Sequence, residues 1–491
     1  MTLPFSPHVG RPFAWLLLGA ALAAQSADAP RKPEPVAEPK PWRLSDRVGG
    51  PSWLKISGEQ RTRYETLDHE FRFRTTPASP PPGQGWADSQ DVFALRTLLM
   101  LEGKGDTVSG AVEFADSRQF GSPDNGFIDS TMVNTLDVLQ AYADLQLGSL
   151  GDGKQRLRIG RETIDVGSRR LVGRNQYRNT INSFHAVDWQ WTGEGKSVRA
   201  FWSLPTERRP QSLDALDSVP QQDRDLDALR DNDQRWDTVS TEQQFLGLAH
   251  EGKLDERTSF DLYLFSLRER GERTRRRELW SPGLHFARTR KPGALHWEAE
   301  LTAQVGHSKV NTSTTSPRLD HRAGFAMGAL GYTLDTTWSP GVTASYTYAT
   351  GDRDPNDDDN GRYDTLFGVR RLDYGPTGVY GAIARANLNS PELRLHLQPS
   401  KSVEIYLAVR GVWLAAARDA WTTSGLRDRT GQAGSHVGTQ CELRLRWDLV
   451  PRSWQLDAGV AYLAEGDFQD RASLGQGQDS SYAYVQCTWF F

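Results

Sequence analysis

The chain has 491 residues with 58 Lys+Arg against 62 Asp+Glu, a formal net charge of −4, and that balance excludes bulk electrostatic attraction of nucleic acid. Its two cysteines, Cys441 and Cys487, are too few for a disulfide framework. No stretch reaches the roughly eighteen apolar residues of a membrane helix, which excludes a helical membrane protein but not a β-barrel, whose strands are apolar on one face only.

At the N-terminus Arg11 precedes the apolar run Phe13 to Ala24 and the small-residue stretch Ala24-Gln-Ser-Ala-Asp-Ala29. This is the layout of a cleaved secretory signal over residues 1–29, with an apolar run too short to span a bilayer as a helix, so an exported mature chain is expected. No cysteine follows the run, and a lipoprotein anchor is not expected. Residues 30–52, with Pro30, Pro33, Pro35, Pro39, Pro41 and Pro51, read as an extended periplasmic lead-in. Beyond it there is no composition break, so 53–491 reads as one domain.

Within that domain, alternation of apolar and polar residues predicts strands near 55–65, 93–104, 108–116, 136–147, 155–161, 186–193, 197–205, 242–251 and 258–268. Further strands fall near 278–290, 294–306, 322–336, 341–350, 383–398, 401–415, 436–449, 453–464 and 481–491. From Leu295 to Val305 the residues Leu295, Trp297, Ala299, Leu301, Ala303 and Val305 share one face, and His296, Glu298, Glu300, Thr302 and Gln304 the other. The segment Val437 to Leu449 repeats the pattern, with Gln440, Glu442, Arg444, Arg446 and Asp448 opposite its apolar face.

The strands number eighteen, and their connections alternate strictly between short and long. Short ones such as Lys104 to Thr107, Arg290 to Gly293, Pro399 to Ser402 and Val450 to Arg452 interleave with loops such as 206–241 and 351–382. A soluble sandwich has no reason to keep that order. An all-β, single transmembrane antiparallel barrel does, because tight turns lie in the periplasm and long loops outside, and closure leaves no open edge in lipid. The period-two segment Tyr482 to Phe491 suits either a soluble sheet or the closing strand of a barrel. The alternating loops decide for the barrel.

With one face toward lipid, the other lines a lumen that 16 to 18 strands make roughly wide enough to hold water. Its charged residues include Glu113, Asp144, Arg158, Glu298, Glu300, Glu404, Arg410, Glu442, Arg444, Arg446 and Asp457, expected either to line a pore or to keep the wall wet and pair with one another. Only ten of the 58 basic residues are Lys. The planar Arg fork grips carboxylate and phosphate as an ammonium cannot, although a GC-rich genome gives the same bias. Both cysteines fall on the outward face two strands apart, so no disulfide is expected.

Two stretches are more specific than the barrel pattern. One runs Arg158-Ile-Gly-Arg161-Glu-Thr-Ile-Asp-Val-Gly167-Ser-Arg-Arg-Leu-Val-Gly173-Arg-Asn-Gln-Tyr-Arg-Asn179 and is followed by Ser183-Phe-His-Ala-Val-Asp188. The other is Tyr348-Ala-Thr-Gly351-Asp-Arg-Asp-Pro-Asn-Asp357, followed by Tyr363-Asp-Thr-Leu-Phe367. With Trp413-Leu-Ala, Asp419-Ala-Trp421, His436-Val-Gly438 and Ala458 to Phe468, they resemble the alginate-export family of outer-membrane porins over Trp53 to Phe491. The resemblance implies an eighteen-stranded barrel and passage of an anionic polysaccharide, an alginate-like polyuronate, through an Arg-rich constriction. One departure is His185, where family members commonly carry Asp. It puts the substrate in doubt more than the fold, and leaves a general or small-anion diffusion porin as the alternative.

A polyuronate carries one carboxylate per sugar, so a narrow aqueous passage needs positive charge that admits it without holding it. On this reading the pore-lining residues are Arg158, Arg161, Arg385, Arg410, Arg444 and Arg446 on inward strand faces, with Arg169, Arg174 and Arg353 reaching in from folded loops. Glu442 beside Arg444 would weaken each stop. Expected partners are outer-membrane lipid and anionic polysaccharide, with periplasmic export scaffold proteins as a further candidate and no nucleic acid. No cofactor or metal is expected.

The acidic run Asp352 to Gly361 has carboxylates at alternate positions, but Asp357 stands where an EF-hand needs glycine and no bidentate Glu follows, so a solvated outer loop is expected. The basic run Arg268 to Arg277 reads as a solvated loop, with contact to anionic headgroups as the sharper alternative. No Ser or Cys nucleophile stands in a recognised pattern with His and a carboxylate, and an enzyme is not expected. The short lead-in has no room for the plug domain of a TonB-type receptor.

Overall fold

Lipid outside and a packed or polar interior impose a period of two on every strand. In the first strand Glu59, Arg61, Arg63 and Glu65 are buried inside while Tyr64 is exposed outside. The computed structural model of the protein describes residues 42–72, 86–211, 226–271, 274–309, 311–472 and 477–491. The signal segment 1–29 and the lead-in up to residue 41 lie outside the described residues.

Eighteen strands form the wall. In chain order they are β1 (Leu54–Asp68), β2 (Ser89–Gly103), β3 (Val108–Phe120), β4 (Asn134–Leu150), β5 (Gly153–Glu162), β6 (Phe184–Gly193), β7 (Lys196–Glu207), β8 (Gln243–Lys253) and β9 (Thr258–Glu269). The circuit continues with β10 (Glu278–Arg288), β11 (Ala294–Lys309), β12 (Arg318–Thr333), β13 (Gly341–Ala349), β14 (Leu388–Ser400), β15 (Val403–Trp413), β16 (His436–Val450), β17 (Trp454–Glu465) and β18 (Ser480–Phe490). Each pairs antiparallel with its neighbours, and β1 pairs with β18 from Glu59 opposite Phe490 to Asp68 opposite Ser481, which closes the ring.

The order predicted from the sequence holds throughout, strand ends shift by up to four residues, and one shift of five changes a residue's place. The strand expected from 383 begins at Leu388, because Asn387 takes a left-handed φ of 50° and breaks the extended run. Arg385 therefore belongs to the loop ahead of β14 and not to a strand face.

Outward positions carry exposed Leu248, Leu262, Leu301, Leu330, Leu393, Val409 and Val485. Aromatic residues gather near the strand ends, as membrane interfaces favour. At the periplasmic end the indoles of Trp42 and Trp489 stand 5.0 Å apart, and those of Trp454 and Trp489 5.9 Å. The seam is sealed there by paired backbone bonds, Gly58 N–H to the Phe491 carbonyl at 2.8 Å and Phe491 N–H to the Gly58 carbonyl at 3.0 Å. Only glycine permits this fit, since a Cβ on Gly58 would lie 2.7 Å from the Phe491 ring. Cys441 and Cys487 are both free.

The interior differs between its two ends. Toward the extracellular side, loops fold into the lumen and bury an apolar cluster that includes Leu67, Val172, Phe184, Phe245, Tyr363 and Tyr380. The lumen that strand number makes wide enough for water is therefore filled in part: the extracellular half contains a packed core. Burying the loops' apolar side chains there, at about 25 cal/mol per Å² of apolar surface, outweighs leaving the cavity wet.

Candidate functional site

The two sequence stretches singled out above meet inside the barrel. They lie in the loop 163–183, between β5 and β6, and the loop 350–387, between β13 and β14. Val172 and Phe367 form a parallel bridge. The Phe367 N–H donates to the Leu171 carbonyl at 2.9 Å and the Val369 N–H to the Arg169 carbonyl at 2.9 Å. Gly368 makes the approach possible, because a Cβ there would stand 1.8 Å from the Arg170 carbonyl oxygen. The Phe367 ring then seats 5.1 Å from Phe184 and 5.0 Å from Phe245 on the wall.

Buried ion pairs fix this plug to the wall. Arg170 donates to Glu298 at 2.6 Å and Glu300 at 2.7 Å on β11, and to Asp373 at 2.8 Å. Arg385 donates to the Arg170 carbonyl at 2.7 Å and pairs with Asp373. Arg371 reaches Glu442 on β16 at 2.7 Å, and Arg277 reaches Asp364 at 2.9 Å. Burial alone would raise the carboxyls of Asp364 and Asp373. The guanidiniums of Arg277 and Arg275 around the first, and of Arg170 and Arg385 around the second, instead hold both well below the usual carboxylate range.

On the wall itself, Arg158 forms two 2.7 Å bonds to Asp144 and lies over the Tyr142 ring. Arg174 forks onto Glu113 at 2.7 and 2.9 Å, Arg410 pairs with Glu392, and Arg444 donates to Asp457 at 2.9 Å. Most inward positive charge is therefore already answered by a carboxylate.

Two clefts lie against the short helix Arg371–Tyr374, whose half-exposed Leu372 lines both. One, of about 300 Å³, is lined by Arg61, Arg96, Arg169, Arg174, Arg446 and Asp457 among others. The second, of about 520 Å³, is lined by Arg290, Glu298, Arg394, Glu404, Tyr406 and Arg410 among others. Arg371, Leu372 and Arg444 border both.

Within the plug loops a second group of cations is poorly answered. Burial first, and then the charges of Arg208 and Arg370, bring Arg178 down to about 9. Burial and Arg72 bring Arg370 down to about 10. Asp129 is the carboxylate that offsets both. Such depression marks positive charge crowded in a desolvated place.

The residues expected at the pore sort as follows. Arg158, Arg410, Arg444 and Arg446 face inward, and Glu442 is buried under Arg371 and Tyr406. Arg169 and Arg174 reach the smaller cleft from loop 163–183. Arg385 is fully buried in the plug and bonds protein groups. Arg161 lies three residues from the inward Arg158, so alternation gives it the opposite parity. It sits at the extracellular rim, bonded to Asp137 at 2.9 Å and Asp237 at 2.7 Å, with His185 as its cross-strand partner. The inward assignment of Arg161 is thereby corrected, and the His185 departure falls on that same register. Arg353 is exposed in the extracellular loop. The basic run is not simply solvated either, since Arg277 turns inward to Glu269 and Asp364. Asp352, in the acidic run, is buried rather than solvated; its N–H donates to Asp419 and its carboxylate lies 3.7 Å from Arg427.

A family model described as alginate export matches residues 52–485. The chain belongs to the alginate-export family. No curated protein matches it. Among solved structures, this alginate-export barrel is similar to Pseudomonas aeruginosa OccK9 (OpdG), 12% identical with a TM-score of 0.55, over 89% of this chain and 98% of that one. It is also similar to Pseudomonas aeruginosa OccK8 (OprE), 10% identical with a TM-score of 0.52, over 89% and 98%. OpdK of the same organism, solved with vanillate, is 10% identical with a TM-score of 0.51, again over 89% and 98%. At such identity the likeness is one of fold. Family and fold together make the alginate-export chain an outer-membrane porin.

Several residues that build this alginate-export interior went unmarked in the sequence. Arg61 and Arg63 were legible, since they alternate with Glu59 and Glu65 on one strand face. Arg170, Arg178, Arg370 and Arg371 were not, because a loop carries no period that says which side chain will be buried.

Proposed function

We propose that this porin passes an anionic polysaccharide or oligosaccharide, of the alginate-like polyuronate class, through an arginine-lined path in its lumen. The observation that carries the reading is the row of arginines lining the periplasmic clefts, Arg61, Arg96, Arg371, Arg444 and Arg446 among them, with the under-compensated Arg178 and Arg370 next in sequence to the cleft-lining Tyr177, Val369 and Arg371. A chain of carboxylates meets positive charge at each level, and the paired Asp and Glu of the wall keep any single stop weak. No cofactor enters this scheme.

In planar bilayers the protein is expected to conduct with anion preference, and a uronate oligomer to reduce the current more than a neutral glucan of equal length. Equal block by the two would sink the polyuronate reading and leave the porin standing. The second reading, a small-anion diffusion porin, is favoured by the packed extracellular half, which suits a slim solute better than a polymer. The fold relative solved with vanillate, an aromatic carboxylate, is consistent with it. Selective block by benzoate-sized anions without block by uronate oligomers would decide for that alternative.

A further inference from the structure

Among the described residues two groups bring three potential metal ligands within 4.8 Å of one another. The first, His285 with Glu298 and Glu300, is already engaged: His285 bonds Asp261 and Glu298, Tyr263 donates to Glu300 at 2.6 Å, and Arg170 covers both glutamates. An ion there would have to displace the guanidinium that holds the plug. The second group, Asp68, His69 and Asp88, lies at the extracellular rim beside the seam, where β1 lies between β2 and β18.

Its geometry differs in kind. Among the described residues neither Asp68 nor Asp88 has an arginine or lysine partner, in a barrel whose inward carboxylates are mostly answered by guanidinium. His69 Nδ1 stands 3.0 Å from the Asp479 carbonyl oxygen, which can only accept, so Nδ1 carries the proton. The lone pair of the neutral ring is then on Nε2, and Nε2 is 4.0 Å from an Asp88 carboxylate oxygen. That is too far for a hydrogen bond. Two donors sharing a tetrahedral ion at bonds of about 2.0–2.2 Å stand about 3.3–3.6 Å apart, so a movement of about half an ångström between these two solvent-accessible side chains brings them to that separation. A carbonyl accepting the far ring N–H is the arrangement that orients a metal-binding imidazole. The main chain is held as well, by Ser480 Oγ donating to the His69 carbonyl at 2.7 Å and by the Glu70 N–H donating to the Asp88 carbonyl at 2.8 Å.

We propose that Asp68, His69 and Asp88 form a surface site for a divalent transition-metal ion of the zinc type, with three protein ligands and one position open to water. One imidazole and two carboxylates suit zinc better than calcium, which takes six or more oxygens. The bound ion joins the end of β1 to the segment leading into β2, and through the Asp479 carbonyl to the approach of β18. It clips the barrel seam from outside.

The test is a titration of the full-length chain in detergent micelles with zinc chloride, read by competition with a chromophoric chelator. One ion per chain is expected. Affinity should fall on the order of tenfold or more in His69→Asn, which tolerates the left-handed φ of 60° at this position, and in Asp88→Asn. His307→Ala, which removes an exposed histidine facing a single carboxylate, should leave it unchanged. Zinc should raise the unfolding temperature of the parent chain and not of His69→Asn, with folding of each variant checked by heat-modifiable gel mobility; Asp88→Asn carries the test if His69→Asn does not fold. Zinc binding that survives both substitutions, no binding at micromolar zinc, or displacement by equimolar calcium would each overturn the proposal.

Discussion

The two halves of the lumen are built from the same residue types and reach opposite results. In the extracellular half, arginines and carboxylates such as Arg277 and Asp364 are largely buried and paired, and the loops that carry them pack through Phe367 against Phe184 and Phe245. In the periplasmic half, similar pairs such as Arg444 with Asp457 border open clefts. Charge alone does not make a passage. Whether a guanidinium serves packing or meets a solute depends on whether a loop covers it.

The sharpest way to break the contrast is to unpin the plug. Arg170→Ala would strand Glu298, Glu300 and Asp373 without their shared cation, and losing one partner of such a buried network costs about 3–5 kcal/mol. The expected outcome is a noisier, larger single-channel conductance and faster proteolysis within 163–183. Gly368→Val should act in the same direction by prising the two loops apart, since its Cβ has no room beside the Arg170 carbonyl. Bilayer recordings check both.

Replacing Arg444 and Arg446 together with Ala addresses the open half. Anion preference, measured as reversal potential in a salt gradient, is expected to drop while conductance persists. Retained preference would place the discriminating charge in the plug, at Arg178 and Arg370.

Acid offers a milder test. The carboxyls of Asp364 and Asp373 titrate lower in the fold than in the unfolded chain, so the stability they lend is complete above the unfolded value of about 3.9 and is lost as pH falls through the lower folded value. Conductance should therefore hold steady between pH 7 and pH 5. An opening transition in that window would mean that other groups pin the plug. Smallest of all, Arg353→Ala at an exposed loop position should change stability by less than about 0.5 kcal/mol and leave block by uronate unaltered, as read by thermal unfolding and bilayer block.

The wall was legible because lipid enforces its rule at every second residue, and a rule repeated over Leu295 to Val305 survives local noise. Parity within a strand was legible too, and overlooking it is what placed Arg161 beside Arg158. The plug follows no such rule. The contact between Val172 and Phe367 joins residues nearly two hundred positions apart, and Arg385 reads like a strand arginine until Asn387 is seen to turn the chain. Motif resemblance flagged both loops without revealing that they touch each other.

That touch has a mechanical meaning. Loop 163–183 hangs from β5 and β6, and loop 350–387 from β13 and β14, so their backbone bridge works as a strut across a hoop. A hoop braced in this way resists being squeezed into an oval. Lateral pressure from the bilayer would therefore be felt first at Gly368, where the strut has no slack.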